Sequence, residues 1–210
     1  MKNVRVFFAK TGTLRFVSHL DMNRFFTRIL RKSGLPIWYT EGFNPHPYLT
    51  FALPLSLGFE SQYEILDFRL VDDTVTFETV EEKLTVVLPE YIKIIRVDEP
   101  VMKVGKITSA GFEIAFSEEK IATEFFDYLN SGNVVIEKKT KKGEIKVDEV
   151  SSKIEEKKIN GSKVSFILPA GNDNINPSLI VASYNEREGK QINVSYTRTA
   201  VYGESRKLFV

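Results

Sequence analysis

Two histidines and a row of arginines are the residues of this sequence with the most evident chemistry. His46 lies in the stretch EGFNPHPYLTF, residues 41–51, where a proline directly follows Asn44 and another follows His46. Because a residue that precedes proline is driven out of the helical region, this loop is expected to be stiff and extended. A stiff loop that presents an amide and an imidazole suits either proton transfer or the recognition of an oxyanion.

The arginines follow a helical spacing. Arg24, Arg28 and Arg31 recur at intervals of four and three and, with Asp21, they occupy an arc of about 80° on a helix. Each guanidinium presents a planar fork of donors that matches a phosphate, so the row predicts contacts with a nucleic-acid backbone. The alternative is a solvated helix face that Asp21 partly neutralises.

Charge is distributed unevenly along the chain. Residues 1–50 carry eight Lys/Arg against two acids, a net charge of +6, whereas residues 51–100 carry four against eleven, a net charge of −7. The first region suits an anionic partner such as RNA, unless the two regions neutralise each other.

Composition excludes several kinds of site. The sequence has no cysteine, which removes thiol nucleophiles, disulfides and thiolate-held clusters, and its two histidines cannot form a three-histidine zinc site. We expect neither a metal nor another cofactor. No apolar run approaches the ~18–20 residues of a membrane span, and the N-terminal apolar stretch is too short for a signal peptide, so we expect a cytoplasmic protein.

The elements that position these residues alternate between strands and helices. In the N-terminal half the hydrophobic patterns predict strands at 4–9 and 14–18, a helix from 19 to about 33, strands at 37–40, 48–53 and 63–71, a helix at 77–88 and a strand at 91–97. Ser18 is a typical N-cap of the first helix, and Gly34 with Pro36 ends it. Its predicted apolar face consists of Met22, Phe25, Phe26 and Ile29.

The C-terminal half repeats this order. The patterns predict a strand at 111–116, a helix at 117–130, strand material at 134–147 around Lys142-Gly143, a hairpin turn at Asn160-Gly161, a strand at 163–169, a helix at 176–186 and a strand at 191–202. The sequence therefore predicts an α+β protein of two tandem ferredoxin-like (βαββαβ) units. Residues 1–100 would form the unit with the basic helix and the GFNPHP loop, and residues 101–210 a diverged second unit.

Geometry brings the loop towards the start of the first helix. At ~3.3 Å per residue, the connection after the helix is long enough to run back along a helix of ~22 Å. Asn44 and His46 are then expected at the surface beside His19 and Asp21, in one polar pocket. There Asp21 would orient a histidine by accepting its ring N–H, and Arg15 with the free helix amides would hold an oxyanion.

Several longer motifs point to a family. With the strings RFVSHLD, RILRKSGLP, GFNPHP and LPLSLGFESQYE, the region 4–70 resembles the radical-SAM-linked proteins of uncharacterised function, which stand alone or are fused behind a radical-SAM/cobalamin-binding enzyme. The second half is similar more loosely, in FILPAGNDNINPSLI and YTRTAVY. The resemblance implies an accessory protein that works with such an enzyme. It singles out Arg15, His19, Asp21, Arg24, Arg31, Gly42, Asn44, His46, Pro47, Gly58, Ser61 and Glu64.

Three functional hypotheses follow. The first is a non-catalytic RNA-binding accessory of a radical-SAM enzyme, with nucleic-acid contacts from Arg15, Arg24, Arg28, Arg31, Asn44, His46 and Tyr48. The second is a metal-independent endoribonuclease, similar in architecture to the CRISPR repeat-processing proteins, in which His46 or His19 takes the 2′-hydroxyl proton. The third is a module for protein–protein interaction alone. The first hypothesis is preferred, so we expect a chain that is not itself an enzyme.

Overall fold

A computed structural model describes residues 1–139 and 143–210 of the chain. The chain divides into two compact units: unit 1 comprises Met1–Lys106 with Phe209–Val210, and unit 2 comprises Ile107–Leu208. The division thus lies a few residues beyond the position 100 that the sequence suggested. No helix in the described part of the chain is long and apolar enough to cross a membrane.

Unit 1 combines a four-stranded antiparallel sheet with two helices. Its elements in chain order are β1 (Lys2–Lys10), α1 (His19–Lys32), β2 (Leu49–Phe51), β3 (Phe59–Leu70), α2 (Phe77–Val87) and β4 (Ile92–Asp98). The strand order within the unit is β4–β1–β3–β2, since β1 pairs with both β4 and β3, and β2 pairs with the other edge of β3.

The strand predicted at 14–18 is wrong, because Gly12–Phe16 forms a 3-10 helix. Gly12 has φ +62°, a left-handed conformation that turns the chain away from β1. A hairpin partner would also have no free edge, since β3 and β4 already occupy both sides of β1. The predicted strand at 37–40 is reduced to two isolated bridges, Ile37 with Leu70 and Tyr39 with Pro47.

Helix α1 begins and ends where the sequence indicates. Ser18 is the N-cap and its Oγ accepts a hydrogen bond from Asp21 N at 3.1 Å, while Ser33 is the C-cap. The apolar side of the helix buries Met22, Phe26, Ile29 and Leu30, whereas Phe25 is only partly buried. These side chains pack on the face of the sheet that carries Val4, Val6, Phe8, Leu66, Phe68 and Leu70.

The other face of the unit 1 sheet buries charge. Arg5 and Asp67 lie directly opposite each other in the register of β1 and β3. Nε and Nη2 of Arg5 donate to the two carboxylate oxygens at 2.7 and 2.6 Å, and Nη1 donates to the carbonyl oxygens of Met102 and Val210, each at 2.9 Å. The Arg5 guanidinium is therefore fully engaged, which a side chain that is 1% exposed requires.

Unit 2 has the same kind of sheet with an insertion. Its elements are β5 (Ser109–Phe116), α3 (Glu119–Asn130), β6 (Val135–Lys139), β7 (Ile145–Glu149), β8 (Glu155–Asn160), β9 (Lys163–Pro169), α4 (Pro177–Glu188) and β10 (Val194–Tyr202). Within this unit the strand order is β10–β5–β9–β8, and β6 with β7 forms a separate two-stranded ribbon.

The two helices of unit 2 differ in how their N-termini are capped. Asn176 caps α4 by accepting a hydrogen bond from Ser178 N at 3.0 Å, whereas Glu118, the N-cap residue of α3, makes no side-chain cap hydrogen bond. Lys142, half of a predicted turn, lies outside the described residues. The predicted α+β class is confirmed, while two tandem ferredoxin-like units stay a prediction that the strand order within each unit supports.

Candidate functional site

The GFNPHP loop is held at both ends by backbone hydrogen bonds. Thr40 N donates to His46 O at 2.9 Å, Tyr48 N donates to Trp38 O at 3.1 Å, and Trp38 N donates to Arg69 O at 2.8 Å. Between these bonds residues 41–46 are exposed, and Gly42 has φ +121°, which a side chain would make costly. The loop is thus anchored at its base by hydrogen bonds, and it projects from the edge of the sheet.

His46 is fixed by its own loop. Its Nδ1 lies 3.0 Å from Asn44 O and 3.2 Å from Thr40 Oγ1, and its backbone N–H donates to the same hydroxyl oxygen at 3.3 Å. Because a carbonyl oxygen only accepts, the neutral ring carries its proton on Nδ1 and its lone pair on Nε2. Nε2 has no hydrogen-bond partner among the described residues, so it can receive a proton or meet a ligand.

A groove runs between α1 and the segment that follows the loop. This helix–loop groove has a volume of about 480 Å³ and is lined by Asn23, Arg24, Thr27, Arg28, His46, Pro47 and Leu49. Arg24 pairs with Asp21 at 3.2 Å, and both side chains are more than half exposed. Arg28 forms no ion pair in the part of the chain that the structure describes, and no acid lines the groove, so the groove keeps a net positive charge.

Asp21 is engaged at the start of α1. It accepts hydrogen bonds from the hydroxyl of Ser18 at 2.7 Å and from Arg24 at 3.2 Å. The Ser18 hydrogen bond, followed by the charges of Arg24 and Arg28, lowers the pKa of this carboxyl. The histidine-orienting role expected of Asp21 falls instead to Asn44 O, because the helix cap already holds the carboxylate in place.

His19 has a different environment from His46. Its ring packs edge-on against Phe51 with 5.3 Å between centroids, and its Nε2 lies 3.0 Å from Asn23 Nδ2. The same amide atom lies 3.0 Å from His19 O, which only accepts, so this atom is the nitrogen. His19 Nε2 therefore accepts from Asn23, and its lone pair is not free to act as a base.

The other predicted contact residues are spread along unit 1. The helix–loop groove gathers His46, Arg24 and Arg28, but its lining includes neither Asn44 nor His19. Arg15 pairs with Glu60 at 3.7 Å outside the groove, and its guanidinium lies over Phe16 at 4.9 Å. In place of the single pocket that the sequence predicted, the structure has a groove along the second and third turns of α1. Asn23 lines this groove and donates a hydrogen bond to His19.

Arg31 and Tyr48 do not line the groove. The Arg31 guanidinium lies 5.9 Å from the ring of Tyr39. The Tyr48 ring packs against Trp38, with 5.6 Å between centroids, and against the Arg69 guanidinium at 4.9 Å. Sequence reasoning missed Asn23, Thr27 and Arg69. The spacing of Asn23 from His19, four residues along one helix, is the signal that could have found the first of them.

The centre of the sheet in unit 1 offers no platform for bases. Phe7 is fully buried and Tyr63 is 9% exposed, with 5.3 Å between their ring centroids. Arg96 covers Phe7 at 4.1 Å, and the Tyr63 hydroxyl donates to Phe209 O at 3.0 Å. A nucleic acid could not stack on these rings as it does on the exposed sheet aromatics of an RRM. Base stacking in this unit must therefore use rings outside the centre of the sheet.

Among the described residues, no three His, Asp or Glu side chains are grouped so that they could hold a metal ion.

Fold and groove together define an α+β protein with a basic helix–loop groove in its first unit. Residues 3–180 match the model of a family described as an uncharacterized protein conserved in bacteria (DUF2344). The chain belongs to this family. None of the curated proteins matches it.

Proposed function

We propose that this protein is a non-catalytic RNA-binding accessory protein whose helix–loop groove holds the RNA backbone. The observation that carries the proposal is the charge of the groove: Arg24 and Arg28 project from one helix face opposite a stiff loop, and Arg28 has no acidic partner among the described residues. Guanidinium groups without a carboxylate partner are well suited to phosphate oxygens.

An exposed ring favours unpaired RNA over a duplex. Phe43 in the GFNPHP loop is wholly exposed, at 105% of the reference area. A ring with no protein contact has its face free for a base, and stacking on aromatic side chains is how proteins commonly hold single-stranded RNA. Tyr39, 39% exposed, is a second accessible ring and lies near the Arg31 guanidinium.

The endoribonuclease remains the second candidate because of the tautomer of His46. A lone pair on an exposed Nε2, with Nδ1–H held by a carbonyl, is what a general base for a 2′-hydroxyl needs. Cleavage also needs a donor for the departing 5′-oxygen. The other histidine does not supply it in the groove, since His19 is not among the residues that line the groove. The groove therefore holds a candidate general base but no second histidine as general acid, which favours binding without cleavage.

The link to a radical-SAM enzyme and a cytoplasmic location belong to the same proposal. A chain without cysteine holds no thiolate-bound cluster, so a partner of that class would carry out the chemistry while this chain holds the RNA. An interaction module without RNA would show the partner complex but no RNA affinity.

The test is a binding titration with a short fluorescent oligoribonucleotide, unpaired or annealed to its complement. We expect the unpaired strand to bind more tightly, with affinity that falls as salt rises. Replacing Arg24 and Arg28 together by Gln should weaken binding about tenfold and lower the salt slope by roughly 1.4, because each lost phosphate contact on a single strand accounts for about 0.7.

Lys93→Gln is the matched control, because Lys93 is an exposed cation of unit 1 outside the groove. It should leave affinity and slope unchanged. Equal losses in the control and the double variant, or no binding at low salt, would refute the proposal. Intact oligonucleotide after long incubation distinguishes binding from cleavage, and shortened products that disappear in His46→Ala would favour the endoribonuclease.

A further inference from the structure

A second cavity of unit 1 lies on the sheet face away from the helices. This sheet-face cavity has a volume of about 340 Å³, and its polar lining consists of Asn3, Arg5, Tyr48, Asp67, Arg69 and Lys103. Residues 100–104 border it opposite the strands. It shares no lining residue with the helix–loop groove.

The charges in this cavity do not cancel. Asp67 is the acid in the lining, and both of its oxygens are taken by Arg5. Arg69 and Lys103 then remain, and neither has an acidic partner within 1–139 and 143–210. Two cations that no acid compensates give the cavity a positive potential, which favours the binding of an anion there.

Arg69 is held in a fixed position. Its guanidinium lies 4.9 Å from the ring of Tyr48 and 5.5 Å from that of Trp38, and its backbone oxygen accepts from Trp38 N at 2.8 Å. Across the sheet it stands opposite Asn3 in the β1–β3 register. Stacking on rings fixes the plane of a guanidinium while leaving its N–H donors free for a ligand.

We propose that the sheet-face cavity is a binding site for a phosphate oxyanion, held by Arg69 with help from Lys103 and Asn3. Arg69 supplies a planar pair of donors, Lys103 a second positive charge from the bordering segment, and Asn3 an amide donor. The phosphate belongs either to a free small anion or to the end of an RNA strand, and the chemistry of recognition is the same for both. The site does not depend on the function proposed for the groove.

The chain contains its own reporter for this site. Trp38 is the single tryptophan of the sequence, and it packs beside Arg69. Titration of the full chain with inorganic phosphate and with pyrophosphate should give a saturable change in tryptophan fluorescence. Sodium chloride at equal ionic strength should give none. A 5′-phosphorylated oligoribonucleotide that competes with pyrophosphate, while its unphosphorylated form does not, would place the phosphate on RNA; competition by neither assigns the site to a free anion.

Variants separate this site from the groove. Arg69→Gln should weaken pyrophosphate binding at least tenfold, Lys103→Gln severalfold, and the Arg24/Arg28 double variant not at all. Lys103 is exposed, so its replacement tests the site even if Arg69→Gln fails to fold. The proposal is overturned if the wild-type chain shows no saturable change, or if Lys103→Gln and a folded Arg69→Gln respond like the wild type.

Discussion

The helix–loop groove and the sheet-face cavity are both basic, but they present their arginines in different ways. In the groove, Arg24 and Arg28 stand on an exposed helix face and can swing to follow an extended chain of phosphates. In the cavity, Arg69 lies half-buried on a strand beside two rings. The contrast separates two uses of the same side chain: a mobile row suits a long polyanion, whereas a fixed guanidinium suits one oxyanion of defined position.

Their supports differ as well. Helix α1 is anchored by an apolar core that includes Phe26 and Leu30, so the groove rests on hydrophobic packing. The floor of the cavity rests on the buried pair of Arg5 and Asp67. Such a pair tolerates the loss of one member poorly, because the other charge is left without compensation.

The largest expected effect therefore comes from the floor of the cavity. Asp67→Asn leaves Arg5 buried without a counter-charge and should lower the free energy of unfolding by about 3–5 kcal/mol. Urea unfolding measures it. The control is Glu113→Gln in unit 2, which breaks a more exposed pair with Lys163 and should cost less than about 1 kcal/mol. Similar losses in both variants would show that burial does not distinguish the two pairs.

The second largest effect is expected from base stacking on the GFNPHP loop. Phe43→Ala should weaken binding of the unpaired oligoribonucleotide by about 1–3 kcal/mol, since one base loses the side chain on which it stacks. The free energy of unfolding should change by less than about 0.5 kcal/mol, because the ring is fully exposed. Phe16→Ala removes another exposed ring, in the 3-10 helix Gly12–Phe16 and not in the GFNPHP loop, and should leave RNA affinity intact. If both variants bind alike, stacking at the loop plays no part.

The cap of α1 gives a smaller effect with a defined pH dependence. Ser18→Ala should cost about 1 kcal/mol at neutral pH, because the helix loses its N-cap hydrogen bond. The Ser18 hydroxyl also lowers the pKa of Asp21 from its ordinary 3.8. A lowered carboxyl pKa contributes stability above pH ~4 that is lost as pH falls through the folded-state value. The difference in the free energy of unfolding between wild type and Ser18→Ala should thus become smaller in acid. A difference that stays constant in unfolding scans from pH 7 to pH 2 would contradict this prediction.

The smallest stability effect is expected at His46. His46→Ala removes an exposed ring that is bonded only within its own loop, so the melting temperature should hardly move while RNA binding weakens. His19→Ala loses the contacts with Phe51 and Asn23 and should cost about 0.5–1.5 kcal/mol. A large drop in melting temperature for His46→Ala would show that the loop histidine is structural.

The sequence predicted what depends on local order. The cap at Ser18, the end of α1 near Ser33 and its buried stripe all follow from spacing within one helix. The α+β class follows from the alternation of such elements. The strand predicted at 14–18 could not be ruled out in the same way, because the reason lies in the occupied edges of β1, which are set by residues far along the chain.

The site divides along the same line. The arginine row on α1 was visible from its period, and two of its members do line the groove. The tautomer of His46 depends on Thr40 and Asn44 within one loop, yet it needs the loop's conformation. Arg5 and Asp67 are 62 residues apart, and the rings beside Arg69 come from outside its strand, so no periodicity connects them.

The hydrogen bond from Arg5 to Val210 O affects the order in which unit 1 can fold. The two residues are 205 positions apart, and Phe209 is buried in unit 1 although all of unit 2 separates it from the rest of that unit. During synthesis, helix α1 and strands β1 to β4 emerge before unit 2, but the Tyr63 hydroxyl and Arg5 lack these carbonyl partners until residues 209 and 210 have left the ribosome. Closure over so long a stretch is a late, slow step. Unit 1 therefore completes its contacts only after unit 2 has been made, although most of it precedes unit 2 in the chain.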